Sequence, residues 1–148
     1  MGVLLEVNCE SDFVSRNEEF RTLVHDLCLH IAAANPRYVR ADEVPEEERA
    51  TQMRIFVEQA RESGKPEKIL EKIAQGRMDK WIDEICLVDQ PFVKDPDETV
   101  NELVKEKIGT IGETITIRRF VCFQMGEGLQ KREHNLVKDL EEMRESQG

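Results

Sequence analysis

The clearest periodic signal is a run of apolar positions at Phe20, Leu23, Leu27 and Ile31, thickened by Val24, Cys28 and Ala32. Spacing of i, i+3, i+4 and i+7 over three turns predicts an amphipathic helix. Ser15 and Glu18 stand in capping-box spacing, which makes Ser15 the expected N-cap. The helix should stop at Asn35-Pro36, because proline disfavours a helical residue before it. Ahead of it, residues 3–7 are apolar and partly β-branched, interrupted once by Glu6, and predict a short strand. Strand material so close to Met1 suggests that a segment precedes it in the full protein.

A second helical pattern opens at Pro45 with the acidic turn Glu46-Glu47-Glu48 and carries Met53, Phe56, Val57 and Ala60 on one side. Gly64-Lys65-Pro66 breaks it and starts another helix through Ile69, Leu70, Ile73, Ala74, Met78, Trp81, Ile82 and Ile85. Residues 46–86 therefore read as an antiparallel helical hairpin, with Trp81 packing near its base on the domain core. Tyr38-Val39 and Gln90-Pro91-Phe92-Val93 read as extended links. Asp97 or Thr99 should cap a helix bearing Val100, Leu103, Val104 and Ile108, with Gly109 and Gly112 bracketing a turn after it. Residues 114–123 form a long β run, with Ile115, Ile117 and Arg119 expected on one face, ended by Gly126 and Gly128. Leu136, Leu140 and Met143 lie at helical spacing in a charged background and predict a C-terminal helix. The expected fold is α+β, a small antiparallel sheet of two distant strands covered by helices on one face. Residues 1–128 would form the core domain and 129–148 a helical module.

Between the first strand and the first helix stands Asn8-Cys9-Glu10-Ser11-Asp12-Phe13-Val14. A loop phenylalanine beside an aspartate has two readings. It either staples back over the helix it precedes or projects toward a partner.

The charge balance narrows the partner. The 148 residues carry a net charge of −10, which disfavours nucleic acid and anionic membrane and suits a protein. No apolar run reaches the length of a membrane span, and the N-terminus has no basic region followed by an apolar one, so a cytoplasmic location is expected. Cys9, Cys28, Cys86 and Cys122 are scattered, without metal-like spacing, and read as reduced thiols.

Catalytic readings find little support. Cys9 and His25 could be imagined as nucleophile and base, but no glycine elbow and no orienting second His or Asn accompany them. His25, His30 and His134 with Cys28 match no metal-site spacing and read as surface or half-buried histidines. There is no phosphate-binding glycine motif, so neither a nucleotide, a metal nor another cofactor is expected on this chain.

Taken in order, several blocks resemble the elongation factor Ts family. They are Gly2-Val3-Leu4-Leu5-Glu6-Val7-Asn8-Cys9-Glu10-Ser11-Asp12-Phe13-Val14, His30-Ile31-Ala32-Ala33-Ala34-Asn35-Pro36, Ser63-Gly64-Lys65-Pro66, Gly76-Arg77-Met78, Gln90-Pro91-Phe92-Val93, Ile111-Gly112-Glu113 and Gly126-Glu127-Gly128. The resemblance implies a guanine-nucleotide exchange factor whose partner is the GTPase elongation factor Tu. It implies that Ser11, Asp12, Phe13 and Val14 form the element inserted near the GTPase's magnesium and nucleotide site, and that Ile111 and Gly112 make a further contact. It implies no cofactor and no catalytic residue. Family members normally carry a small N-terminal helical domain and a strand ahead of residues 3–7, and both are missing from this sequence. The bare sheet edge and the single core copy point to a homodimer, in which Cys122 could approach its symmetry mate. The competing reading is a helical-hairpin adaptor or chaperone-like module with no GTPase partner.

Overall fold

The computed structural model of the chain describes residues 1–130. The C-terminal helix expected from residue 129 onward lies outside them, apart from Leu129 and Gln130, which are not helical. Strand β1, Gly2–Asn8, pairs antiparallel with strand β4, Thr116–Phe123, from Gly2 opposite Phe123 to Asn8 opposite Thr116. Val3, Leu5 and Val7 turn to the core, facing Cys122, Phe120 and Ile117 across the ladder.

The register breaks once. Glu6 lies opposite Arg119 and Val7 opposite Ile117, which leaves Arg118 as the extra residue of a bulge. One inserted residue shifts a period-two pattern by one place. The inner face therefore runs through Ile115 and Ile117 and then jumps to Phe120 and Cys122, and Arg119 is not on it as expected. The inward turn also takes Cys122 away from the exposed face on which a symmetry mate could meet it. Both arginines at the bulge reach Glu6, Arg118 donating to Oε1 at 2.9 Å and Arg119 to Oε2 at 2.6 Å. These two bonds hold the Glu6 carboxyl at a pKa of about 2.

The chain next makes a single turn, α1, Asp12–Ser15, before the long helix α2, Glu18–Ala34. Ser15 is not the cap of α2. It ends α1, and its hydroxyl donates back to the Asp12 carbonyl at 2.8 Å. Asn17 caps α2 instead, its side chain accepting from the Glu19 amide at 2.7 Å. Phe20, Leu23, Leu27 and Ile31 are buried along the stripe the periodicity marked, packed on the inner face of the sheet. Asn35 ends the helix in the left-handed conformation, φ 47°, just before Pro36.

Helices α3, Glu46–Glu62, and α4, Leu70–Ile85, form the helical hairpin, closing on Ala60, Leu70, Ala74 and Met78. Trp81 does not join the main core cluster. It continues the stripe of Ala74 and Met78 along α4 and is only half-buried. The hairpin is fastened at its base, where the Tyr38 hydroxyl donates to Glu48 at 2.6 Å and Arg37 pairs with the same carboxylate at 2.5 Å. Arg49 also donates to the Ala41 carbonyl there.

Beyond the hairpin the expected extended link is a second two-stranded antiparallel sheet, β2, Pro91–Phe92, with β3, Asp95–Thr99. A segment reading Asp-Pro-Asp-Glu-Thr has no alternating apolar pattern, so its strand is set by pairing alone. Thr99 rather than Asp97 caps the last described helix, α5, Val100–Ile111, in a capping box with Glu102. Gly109 is inside α5 rather than in a turn, because the helix runs on to Ile111 and only Gly112, φ 82°, turns the chain away. α5 packs Val100, Leu103 and Val104 into the core cluster.

His30 is buried, not on the surface. Its Nδ1 faces the Val93 amide at 3.2 Å, and an amide can only donate, so the ring proton is on Nε2. Nε2 then donates to Gln90 Oε1 at 2.9 Å, and Gln90 passes its own N–H to the Glu84 carbonyl at 2.7 Å. The ring stacks on Phe92 with centroids 6.0 Å apart. Burial lowers the His30 pKa below its ordinary value, and the bond to Gln90 opposes the shift. This network joins α2, the end of the hairpin and β2.

Candidate functional site

The stretch between β1 and α2 is a tip built on one helical turn. Successive residues on a helix point about 100° apart, and α1 uses this to send two neighbours to different faces. Val14 turns inward and joins the core cluster, while Phe13 turns outward and is 89% exposed. The staple reading therefore does not describe this structure, since it is Val14 that anchors the turn. Asp12 is also exposed, and its carboxylate makes no hydrogen bond or ion pair among the described residues.

Ser11 is extended, φ −133° and ψ 155°, and occupies the N-cap position of α1 without capping it. Its hydroxyl donates instead to Glu113 Oε1 at 2.5 Å, and its amide donates to Glu113 Oε2 at 3.0 Å. The Cys9 thiol donates to the Ser11 carbonyl at 3.4 Å. One carboxylate thus grips Ser11 at two atoms from 102 positions away.

That carboxylate follows directly on Ile111 and Gly112. Ile111 ends α5 and packs against the core, and Gly112 is the left-handed residue at the helix C-cap. A Cβ on Gly112 would meet nothing within 4 Å, so its glycine is required by φ and not by crowding. The structure therefore brings Ser11, Asp12, Phe13 and Val14 to the same end of the molecule as Ile111 and Gly112. Glu113 is the residue that sequence reasoning passed over. Its signals were its place beside Ile111-Gly112 and the free hydroxyl of Ser11, and neither reveals the pairing.

The chemistry on offer at this end is contact chemistry: an exposed ring, an exposed carboxylate and a helix corner. The Cys9 thiol is bonded to a main-chain carbonyl and His25 is exposed on α2, so the two do not form a nucleophile and base. Among the described residues, no group of three or more His, Cys, Asp or Glu side chains is placed to hold a metal ion. No described helix is long and apolar enough to cross a membrane.

An α+β core with a helical arm and an outward acidic-aromatic tip defines a scaffold that presents side chains rather than enclosing them. A family model described as Elongation factor TS matches residues 2–127. The chain is 53% identical over 140 residues to Elongation factor Ts of Acetivibrio thermocellus, covering 95% of this chain and 65% of that relative. It is 51% identical over 140 residues to Elongation factor Ts of Geobacter sulfurreducens, with the same two coverages, 95% and 65%. For Elongation factor Ts of Moorella thermoacetica the figures are 51% over 133 residues, 90% of this chain and 66% of the relative. The chain belongs to the elongation factor Ts family. It spans about 65% of the length of the curated relatives it matches.

Proposed function

We propose that this chain is a guanine-nucleotide exchange factor of translation elongation, acting in the cytoplasm on elongation factor Tu bound to GDP. The observation that carries the reading is Phe13, an aromatic side chain held almost fully in solvent on a turn whose next residue is buried. A ring kept out of its own core has its apolar surface free for a partner's. Asp12 adds charge and hydrogen-bond acceptance beside it, and Ile111 and Gly112 offer a second contact at the same end. Residues 1–128 act as the contact core and 46–86 as its arm.

No bond need be made or broken in such a reaction, so the protein is not an enzyme in the chemical sense. Exchange is a coupling between two ligands of the GTPase. Whatever factor this protein takes from GDP affinity, GDP takes from its own. The test is release of fluorescent GDP from elongation factor Tu as the 148-residue chain is added. Acceleration that saturates with chain concentration is expected, together with co-elution that excess GDP disrupts. Absence of both would overturn the reading.

The outer face of the β1–β4 sheet, exposed among the described residues, supports a homodimer. Leu4, Val121 and Phe123 are 70%, 46% and 66% exposed, and a groove across this face is lined by Leu4, Glu6, Arg119 and Val121. A second copy offers the same apolar patch and the same acid-base pairing, so the surface is self-complementary. Light scattering should give twice the chain mass at tens of micromolar, an order of magnitude suited to modest interfaces. Leu4→Lys should restore the monomer, and a wild-type monomer at that concentration would remove the dimer.

A further inference from the structure

We propose that Glu113 is a positioning residue that joins the Asp12-Phe13 tip and the Ile111-Gly112 corner into one rigid two-point probe. This rests on the exchange reading above. α1 has only four residues and is held to the core by Val14 alone. A single turn is not stable by itself. Its N-cap serine accepts from the Ser15 amide through its carbonyl at 3.3 Å, but its side chain makes no cap bond to the turn, so side-chain capping does not fix it.

What fixes it is the two-point grip of Glu113 on the Ser11 amide and hydroxyl, at 3.0 and 2.5 Å. Two parallel bonds to one planar carboxylate define an orientation, where one bond would define only a distance. Gly112 aims the grip. Its left-handed φ of 82° turns the chain straight out of α5, so that the next side chain reaches back to Ser11. A displacement of either contact is therefore felt by the other, and the ring of Phe13 is pre-oriented before any partner arrives.

The experiment uses the full chain with Glu113→Ala, Glu113→Gln, Ser11→Ala and the Ser11→Ala/Glu113→Ala double variant. Phe13→Ala is the control, and thermal unfolding checks that each variant is folded. Two quantities are read: amide hydrogen exchange at Ser11 in the free protein, and the rate of GDP release from elongation factor Tu. Glu113→Ala should speed Ser11 amide exchange and slow GDP release about tenfold, the scale of losing charge-assisted bonds and pre-organisation. Ser11→Ala should cost less, and adding it to Glu113→Ala should change nothing further. Glu113→Gln should recover most of the loss, because its carbonyl can accept from the amide while its NH2 donates to the hydroxyl oxygen.

Unchanged Ser11 amide exchange in Glu113→Ala would overturn the grip itself. A Gln variant as poor as Ala would overturn positioning in favour of direct charge toward the partner. If Phe13→Ala slows release and Glu113→Ala does not, positioning fails while the exchange function stands. If the wild-type chain never accelerates release, the exchange reading fails, and Ser11 amide exchange still decides whether the grip exists.

Discussion

Phe13→Ala is expected to slow GDP release from elongation factor Tu roughly thirtyfold while leaving the melting temperature of the chain almost unchanged. The two halves of this result come from one observation. A side chain that is 89% exposed contributes little to its own fold, so its truncation belongs with surface substitutions, within about 0.5 kcal/mol. In a complex, an aromatic anchor filling a slot typically carries about 2 kcal/mol, which converts to the thirtyfold loss. Asp12→Ala is a useful companion, because Asp12 also lies outside the core and its loss separates the charge of the tip from its bulk. The two measurements are thermal unfolding and the GDP-release rate. A melting temperature that falls by the amount of a buried phenylalanine, with normal release per folded molecule, would make Phe13 scaffold.

The opposite profile is expected of His30→Ala. Here the loss is in stability, about 3 kcal/mol or more, because a cavity opens against Phe92 and both the Val93 amide and Gln90 lose their partner. For a domain of this size that is a fall of roughly 10 °C in melting temperature. GDP release per folded molecule should not change, since His30 is not at the tip. The wild type should also show a pH signature that the variant lacks. The folded pKa of His30 lies below its ordinary 6.5, so folding favours the neutral ring. Its contribution is complete above 6.5 and is lost as pH falls from there through the folded pKa. Denaturant unfolding at successive pH values should therefore give a downward slope toward acid in the wild type and a flatter one in His30→Ala. Equal slopes would mean that the ring titrates alike folded and unfolded.

The parts of this fold that could be read from the sequence are those governed by a repeating period. α2, the α3–α4 hairpin and α5 each carry enough turns for the apolar stripe to outweigh local exceptions. Features set by a single residue or by pairing escaped. Ser15 and Asn17 are both good caps, and only the extra turn at residues 12–15 chooses between them. The bulge at Arg118 is invisible in a string that alternates plausibly without it. β3 is a strand because β2 lies beside it, and its own residues argue against it. At the tip the staple and the projecting ring are written in the same letters. They differ in whether residue 13 or 14 faces the core, a rotation of one place on a turn too short to show a period. The bond that Ser11 donates to Glu113 spans 102 positions and leaves no local trace.

The pairing of β1 with β4 also governs the order in which the molecule can assemble. Gly2 and Phe123 are partners, so this sheet closes a loop of nearly the whole described chain, whereas α3 and α4 meet across one short turn. Loop closure costs more entropy the longer the loop, and contacts between distant residues form late. The helical hairpin can thus be in place while β1 still waits, with Val3, Leu5 and Val7 uncovered. During that interval the strand is an open edge in search of any partner, and another unfolded copy offers the same β4 that it seeks. Refolding yield should therefore depend on protein concentration through this strand, with the arm indifferent to it.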